Sequence, residues 1–179
     1  MIRLLVLLFL LSGCASAPLS VQEKAGPVFY PSEPDAPRLQ FLTSFSSSQD
    51  LEKPVSAFRS LIVGQKVASQ PIVKPYGVAV YGDKIYICDT VLNSIIILDL
   101  RKRKFEYFRP KEQSQLSSPI NLSFDTNGDM YLADARRGQV MIFDKAGNFL
   151  GAIGKNEELK PTSVLVKQDK VYICDLKSH

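Results

Sequence analysis

Three cysteines, a single histidine and three regularly spaced aspartates are the residues of this chain whose types invite a chemical reading. Cys88 and Cys174 each precede an aspartate, in KIYICD (84–89) and KVYICD (170–175). A third copy of the same phrase, MYLAD (130–134), has Ala133 where the others have cysteine. A Cys-Asp pair could ligate a metal or hold a reactive thiolate, but the surrounding pattern speaks against both. There is no CxxC, and the only histidine is His179 at the last position, so a multi-histidine site is excluded. A position that accepts Cys, Ala and Cys asks for a small side chain, half or fully buried, and cysteine packs as a small hydrophobe. Two repeats apart, Cys88 and Cys174 are expected to lie beyond the roughly 7 Å Cα limit of a disulfide.

The aspartates read as turn formers. Asp89, Asp134 and Asp175 each end an apolar run, and Asn93, Gly138 and His179 stand four residues later. A carboxylate leaving a strand can accept backbone N–H groups two residues on. Asn, Gly and His are the residue types enriched at left-handed backbone positions. The unit Asp-x-x-x-Asn/Gly/His therefore predicts hairpin chemistry rather than ligand contact.

Cys14 is different. The chain opens MIR, continues with the apolar run LLVLLFLL (4–11), and reaches LSGC (11–14). That run is too short to cross a hydrocarbon core of roughly 30 Å as a helix, which predicts a cleaved export signal over 1–13. LSGC resembles the lipobox of bacterial lipoproteins. The resemblance implies that Cys14 is diacylated, becomes the new N-terminus and carries a membrane anchor, with two or more acyl chains giving stable attachment. Ala15 after Cys14 then implies the periplasmic face of the outer membrane in a host with two membranes. Five prolines fall between 15 and 37, so residues 14–37 read as an extended tether. Residues 38–72 form a lead-in, with RLQFLTSF (38–45) as a first strand and SAFRSLIVG (56–64) as a short helix or turn.

From residue 73 the chain repeats. Pro75, Pro119 and Pro161 start three copies, 44 and 42 residues apart. Each copy holds short runs rich in Val, Ile, Tyr and Phe, such as GVAVY, KIYIC, SIIILD and KFEYF in the first. Turn residues separate them, which reads as strands joined in hairpins. Four strands per period of this length is the signature of a β-propeller blade. The fold class is all-β: four-stranded antiparallel blades, two complete and a third partial over 73–179, in an incomplete ring. SPINLSFDTNGDMYLADARRGQVMIFDKAGNFLGAIG (118–154) resembles the NHL repeat. That resemblance implies a six-bladed ring of roughly 250 residues at this period, so the sequence reads as a piece of a longer propeller.

In catalytic propellers of this kind, charged groups converge on the axial channel from the start of each innermost strand. The matching positions here are Gly77, Asn121 and Ser163. None titrates near neutrality, so no general acid or base is offered. Asn121 alone could ligate Ca²⁺, far short of the six to eight ligands required, and no cofactor or metal is expected unless further blades complete a site. The expected role is a non-catalytic, envelope-anchored platform for a protein or ligand. The alternative is a propeller hydrolase or lyase, similar to lactonases or the amidating lyase, with a metal in its channel. The net charge of +4 is too small to imply nucleic acid. The basic run RKRK (101–104) reads as a solvated turn, with an anionic envelope surface as the competing use.

Overall fold

A computed structural model of the chain describes residues 27–52, 68–155 and 157–177. Cys14, the signal segment, SAFRSLIVG and His179 lie outside the described residues. Two compact units are present, divided after Thr43. The first contains β1 (Val28–Tyr30) paired antiparallel with β2 (Leu39–Phe41). The stretch expected to be an extended tether thus contains half of a hairpin. The predicted strand at 38–45 is confined to three residues, and both strands are exposed throughout.

The second unit holds the repeats as consecutive antiparallel sheets. β3 (Pro75–Tyr81), β4 (Lys84–Asp89), β5 (Ser94–Asp99) and β6 (Lys104–Phe108) form one four-stranded sheet in sequence order. β7 (Pro119–Phe124), β8 (Met130–Asp134), β9 (Gln139–Phe143) and β10 (Phe149–Ile153) form the next. β11 (Pro161–Lys167) and β12 (Lys170–Asp175) form a two-stranded third. Each innermost strand begins at the repeat proline, two residues earlier than the apolar pattern predicts. The pairing register shifts between that proline and the third or fourth residue in all three sheets. A bulge there lets proline sit in a strand without breaking the ladder.

The sheets pack face on face, as propeller blades do, and the stack is open. Alternation of side chains across the pleat sends one set of residues to each neighbour. Cys88 and Ile95 of the first blade meet Leu122, Leu132, Met141 and Phe143 of the second. Ala133 and Val140 of the second meet Val164 of β11, flanked by Val171 and Ile173. On its other side the first blade buries Ile87, Ile96, Leu98 and Phe105 under Leu51, with Phe45 and Ile72 packed alongside. The lead-in is fastened there by polar bonds. Arg103 Nε donates to Leu51 O (3.0 Å) and the Tyr107 hydroxyl donates to Pro71 O (2.6 Å). Arg103 of the basic run is therefore engaged in holding the lead-in.

The tight hairpin turns place residues at positive φ. Gln168 and Asp169 both lie there (50° and 58°) in the two-residue turn between β11 and β12, the backbone that a twisted hairpin requires. The loops 125–128 and 144–147 share one design. In each, an aspartate accepts the N–H two residues on and the N–H four residues on, and a glycine with positive φ follows in third place.

Candidate functional site

Asp89 ends β4 and is fully buried. Its Oδ1 accepts the N–H groups of Val91 (3.0 Å) and Leu92 (2.9 Å). Its Oδ2 accepts those of Val73 (2.8 Å) and Lys74 (2.9 Å), just before Pro75. Asp134, also fully buried, repeats the arrangement with Ser117, Ser118 and Arg137 as donors at 2.7, 2.9 and 3.0 Å. Asp175 accepts from Lys160 (2.5 Å) and Lys177 (3.3 Å). Each carboxylate thus clamps the turn after its own strand to the start of the blade's innermost strand.

The residues four places on link neighbouring blades. The side-chain amide of Asn93 (φ 48°) reaches Ser117 O at 2.6 Å and Thr90 O at 3.2 Å, and its nitrogen is assigned to that position because both neighbours are acceptors. Gly138 (φ 67°) lies against the segment before β11, where an added Cβ would stand 2.6 Å from Glu157 Cα and 2.7 Å from Leu159 O.

Burial alone would raise the pKa of Asp89. The four backbone donors, Leu92, Lys74, Val73 and Val91, outweigh it and hold the carboxyl below its ordinary value. A folded-state pKa below the unfolded one gives stability that is complete above the unfolded value, near pH 4, and lost as pH falls through the folded value. The melting temperature is therefore expected to fall steeply below about pH 4. Asp89→Asn should start from a lower melting temperature and show a shallower acid slope. An unchanged slope would show that the Asp89 proton is not linked to folding.

Gly77, Asn121 and Ser163 occupy equivalent places on β3, β7 and β11 and adjoin one another across the blades. An added Cβ at Gly77 would lie 2.4 Å from Ile120 O and 2.8 Å from Asn121 Cα. Asn121 Oδ1 accepts from Val164 N (2.9 Å) and Ser163 Oγ (3.3 Å), and Ser123 Oγ accepts from Val166 N (3.1 Å). The carbonyl oxygen that could have served a cation is engaged in joining two blades. Among the described residues no cluster of three or more His, Cys, Asp or Glu side chains is arranged to hold a metal.

The two repeat cysteines differ in exposure. Cys88 is fully buried, and burial, with a smaller contribution from Asp134, pushes its thiol pKa up to about 12. Cys174, expected to be covered like its counterpart, is exposed. Its side of β11–β12, shared with Leu165 and Tyr172, meets no further sheet among the described residues.

A second locus escapes sequence reasoning, because its parts come from separate hairpins. A cleft of about 500 Å³ opens between the first two blades at the β3–β4 and β5–β6 turns. Phe124 forms its floor, with the Tyr81 ring stacked on it (4.8 Å, 21°) and the Tyr86 ring tilted against it (4.6 Å, 56°). Asp99, 6% exposed, stands in its wall. Asp99 Oδ1 accepts Lys102 N–H at 2.8 Å. Among the described residues the other carboxylate oxygen and the hydroxyls of Tyr81 and Tyr86 make no hydrogen bond. Asp83 and Arg101 pair at the rim (3.5 Å).

No family model and no curated protein matches the chain. Solved structures similar to it include virginiamycin B lyase of Staphylococcus aureus, at 12% identity over 57% of this chain and 34% of that one, with a TM-score of 0.49. Regucalcin of Agrobacterium tumefaciens, described as a calcium-binding protein, aligns at 17% identity over 64% and 43%, TM-score 0.48. Glutaminyl cyclase of Myxococcus xanthus aligns at 13% identity over 62% and 55%, TM-score 0.45. The chain spans less than two thirds of the length of each. The blade architecture rests on the strand pairing and sheet packing above.

Proposed function

We propose that the chain is an envelope lipoprotein, acylated on Cys14, whose NHL-type propeller serves as a non-catalytic platform for a protein or ligand. The observation that carries the reading is the commitment of the repeat's polar groups to the scaffold. The carboxylates of Asp89 and Asp134 are engaged by four and three backbone donors. Asn121, the one inner-strand residue suited to a cation, holds β11 in place. Groups saturated in this way have little freedom to transfer protons or bind a metal, whereas the cleft at the turns of the first two blades stays open for recognition. The resemblance of LSGC to a lipobox supports the anchor.

Two experiments test the parts separately. Labelled palmitate should enter the native protein and not the Cys14→Ser variant; equal labelling of both would remove the anchor. Purified protein supplied with Ca²⁺ or Zn²⁺ should turn over neither a lactone nor a peptidyl-hydroxyglycine. Turnover abolished by Asn121→Ala would replace the platform with the hydrolase or lyase reading.

A further inference from the structure

We propose that the cleft between the first two blades binds a saccharide, seating one pyranose ring against Tyr81, Tyr86 and Phe124 with its hydroxyl groups directed at Asp99. The inference deepens the binding-platform reading and rests on it, while needing no assumption about the anchor.

The cleft is asymmetric in its chemistry. Its floor is aromatic and its wall carries a carboxylate oxygen that no protein donor reaches. That oxygen is accessible to solvent, since Ser94 Oγ is the one buried side-chain polar atom without a partner among the described residues, and a ligand hydroxyl that donates to it takes the place of water. The Tyr81 and Tyr86 hydroxyls can each donate and accept, and neither is used internally. About 500 Å³ is ample for one or two sugar rings, within the usual range for small-ligand sites.

Three ligand classes can be compared on this geometry. A purely apolar molecule would cover the aromatic floor but strip water from the Asp99 oxygen without supplying a donor. A simple ammonium would suit Asp99 and the ring faces, but Lys102, Lys84 and Arg101 lie close enough to act on that carboxylate and would repel a further cation. A pyranose meets both demands. Its hydroxyls donate to the carboxylate and exchange hydrogen bonds with the phenols, and its C–H face lies on the negative face of an aromatic ring. The positive side chains around Asp99 also admit a sugar bearing a carboxylate.

Two features keep the cleft open and shaped. Gly128 (φ 91°) sits over Tyr81, where an added Cβ would come within 2.7 Å of the hydroxyl oxygen. Gly147 (φ 90°) sits over Phe108, where an added Cβ would come within 2.9 Å of the ring. Both glycines belong to the second blade and both rings to the first, so the glycines set the close approach of the two blades at the cleft.

The chain has seven tyrosines and no tryptophan, so tyrosine emission reports on Tyr81 and Tyr86 without a tryptophan background. The probes are methyl β-glucopyranoside, N,N′-diacetylchitobiose and glucuronate, titrated into the full chain by fluorescence and by calorimetry. At least one is expected to bind with a Kd on the order of 1 mM, as suits a small, open, polar site. Asp99→Asn keeps an oxygen for Lys102 N–H but puts an amide where the free acceptor stood, and should weaken binding about tenfold. Tyr86→Phe should weaken it less, with an unchanged melting temperature. If Asp99→Asn fails to fold, Tyr86→Phe alone decides. No saturable binding of any probe up to tens of millimolar, or binding indifferent to the folded variants, overturns the proposal. Such a failure removes the saccharide and leaves the platform reading to the tests described for it.

Discussion

Asp134→Ala is expected to destabilise the repeat unit by about 3 kcal/mol or more, the largest effect of any single side-chain truncation proposed for this chain. The carboxylate is fully buried and accepts N–H groups from Ser117, Ser118 and Arg137. Truncation leaves three donors without a partner, each costing about 1–3 kcal/mol when water cannot reach it. The damage also spreads beyond the turn, because Ser117 and Ser118 lead into Pro119 and set the start of β7. For a unit of this size the melting temperature should fall by more than about 12 °C. Asp134→Asn retains one oxygen acceptor and should lie between the parent and the alanine variant. Melting followed by circular dichroism gives the order directly. An alanine variant that melts with the parent would show that the clamp contributes little.

Gly77→Ala is the second large effect, and it acts through sterics alone. The new Cβ would meet Ile120 O at 2.4 Å and Asn121 Cα at 2.8 Å. Both are backbone atoms, so no side chain can rotate away, and the innermost strands of two blades must separate. Overpacking of this kind costs about 1–3 kcal/mol, and a backbone contact belongs at the upper end. Separation also disturbs β7, whose Asn121 and Ser123 hold β11, so loss of the third sheet should accompany the change. Gly151→Ala is the matched control. It lies in β10, where an added Cβ would have no atom within 4 Å, and should leave stability within about 0.5 kcal/mol of the parent. Equal loss in both variants would show that glycine flexibility, and not blade contact, sets the effect.

The strands were legible because the sequence states them twice, in short runs rich in Val, Ile, Tyr and Phe and in the recurrence of those runs from copy to copy. Gly82, Gly128 and Gly147 marked the turns for the same reason, since few other residues accept positive φ. The clamp was only half legible. The local half, from Asp89 to Val91 and Leu92, follows from turn chemistry. The distant half, from Asp89 back to Val73 and Lys74, depends on a strand pairing that one sequence does not display. The partner that the neighbouring blade brings to Asn121, the amide of Val164, was not legible, because sequence position does not display contacts between blades. The cleft was not legible at all. Tyr81, Tyr86, Asp99 and Phe124 lie on four strands of two sheets, and no spacing rule joins them before the blades are stacked. Cys174 shows the converse limit: a nearly identical local phrase has a different burial when the neighbouring sheet differs.

The side-chain links from Asn121 and Ser123 to the amides of β11 have a consequence for how the unit opens. Each blade touches only the blades beside it, so its stability is a sum of its own terms and its two interfaces. A stack joined in this way loses structure from an end, one sheet at a time, and not by a single collapse. The β11–β12 pair has one such interface among the described residues, while the second blade has two. Amide protons of β12 should therefore exchange through small openings that spare β8, and the middle blade acts as the slow, cooperative heart of the unit.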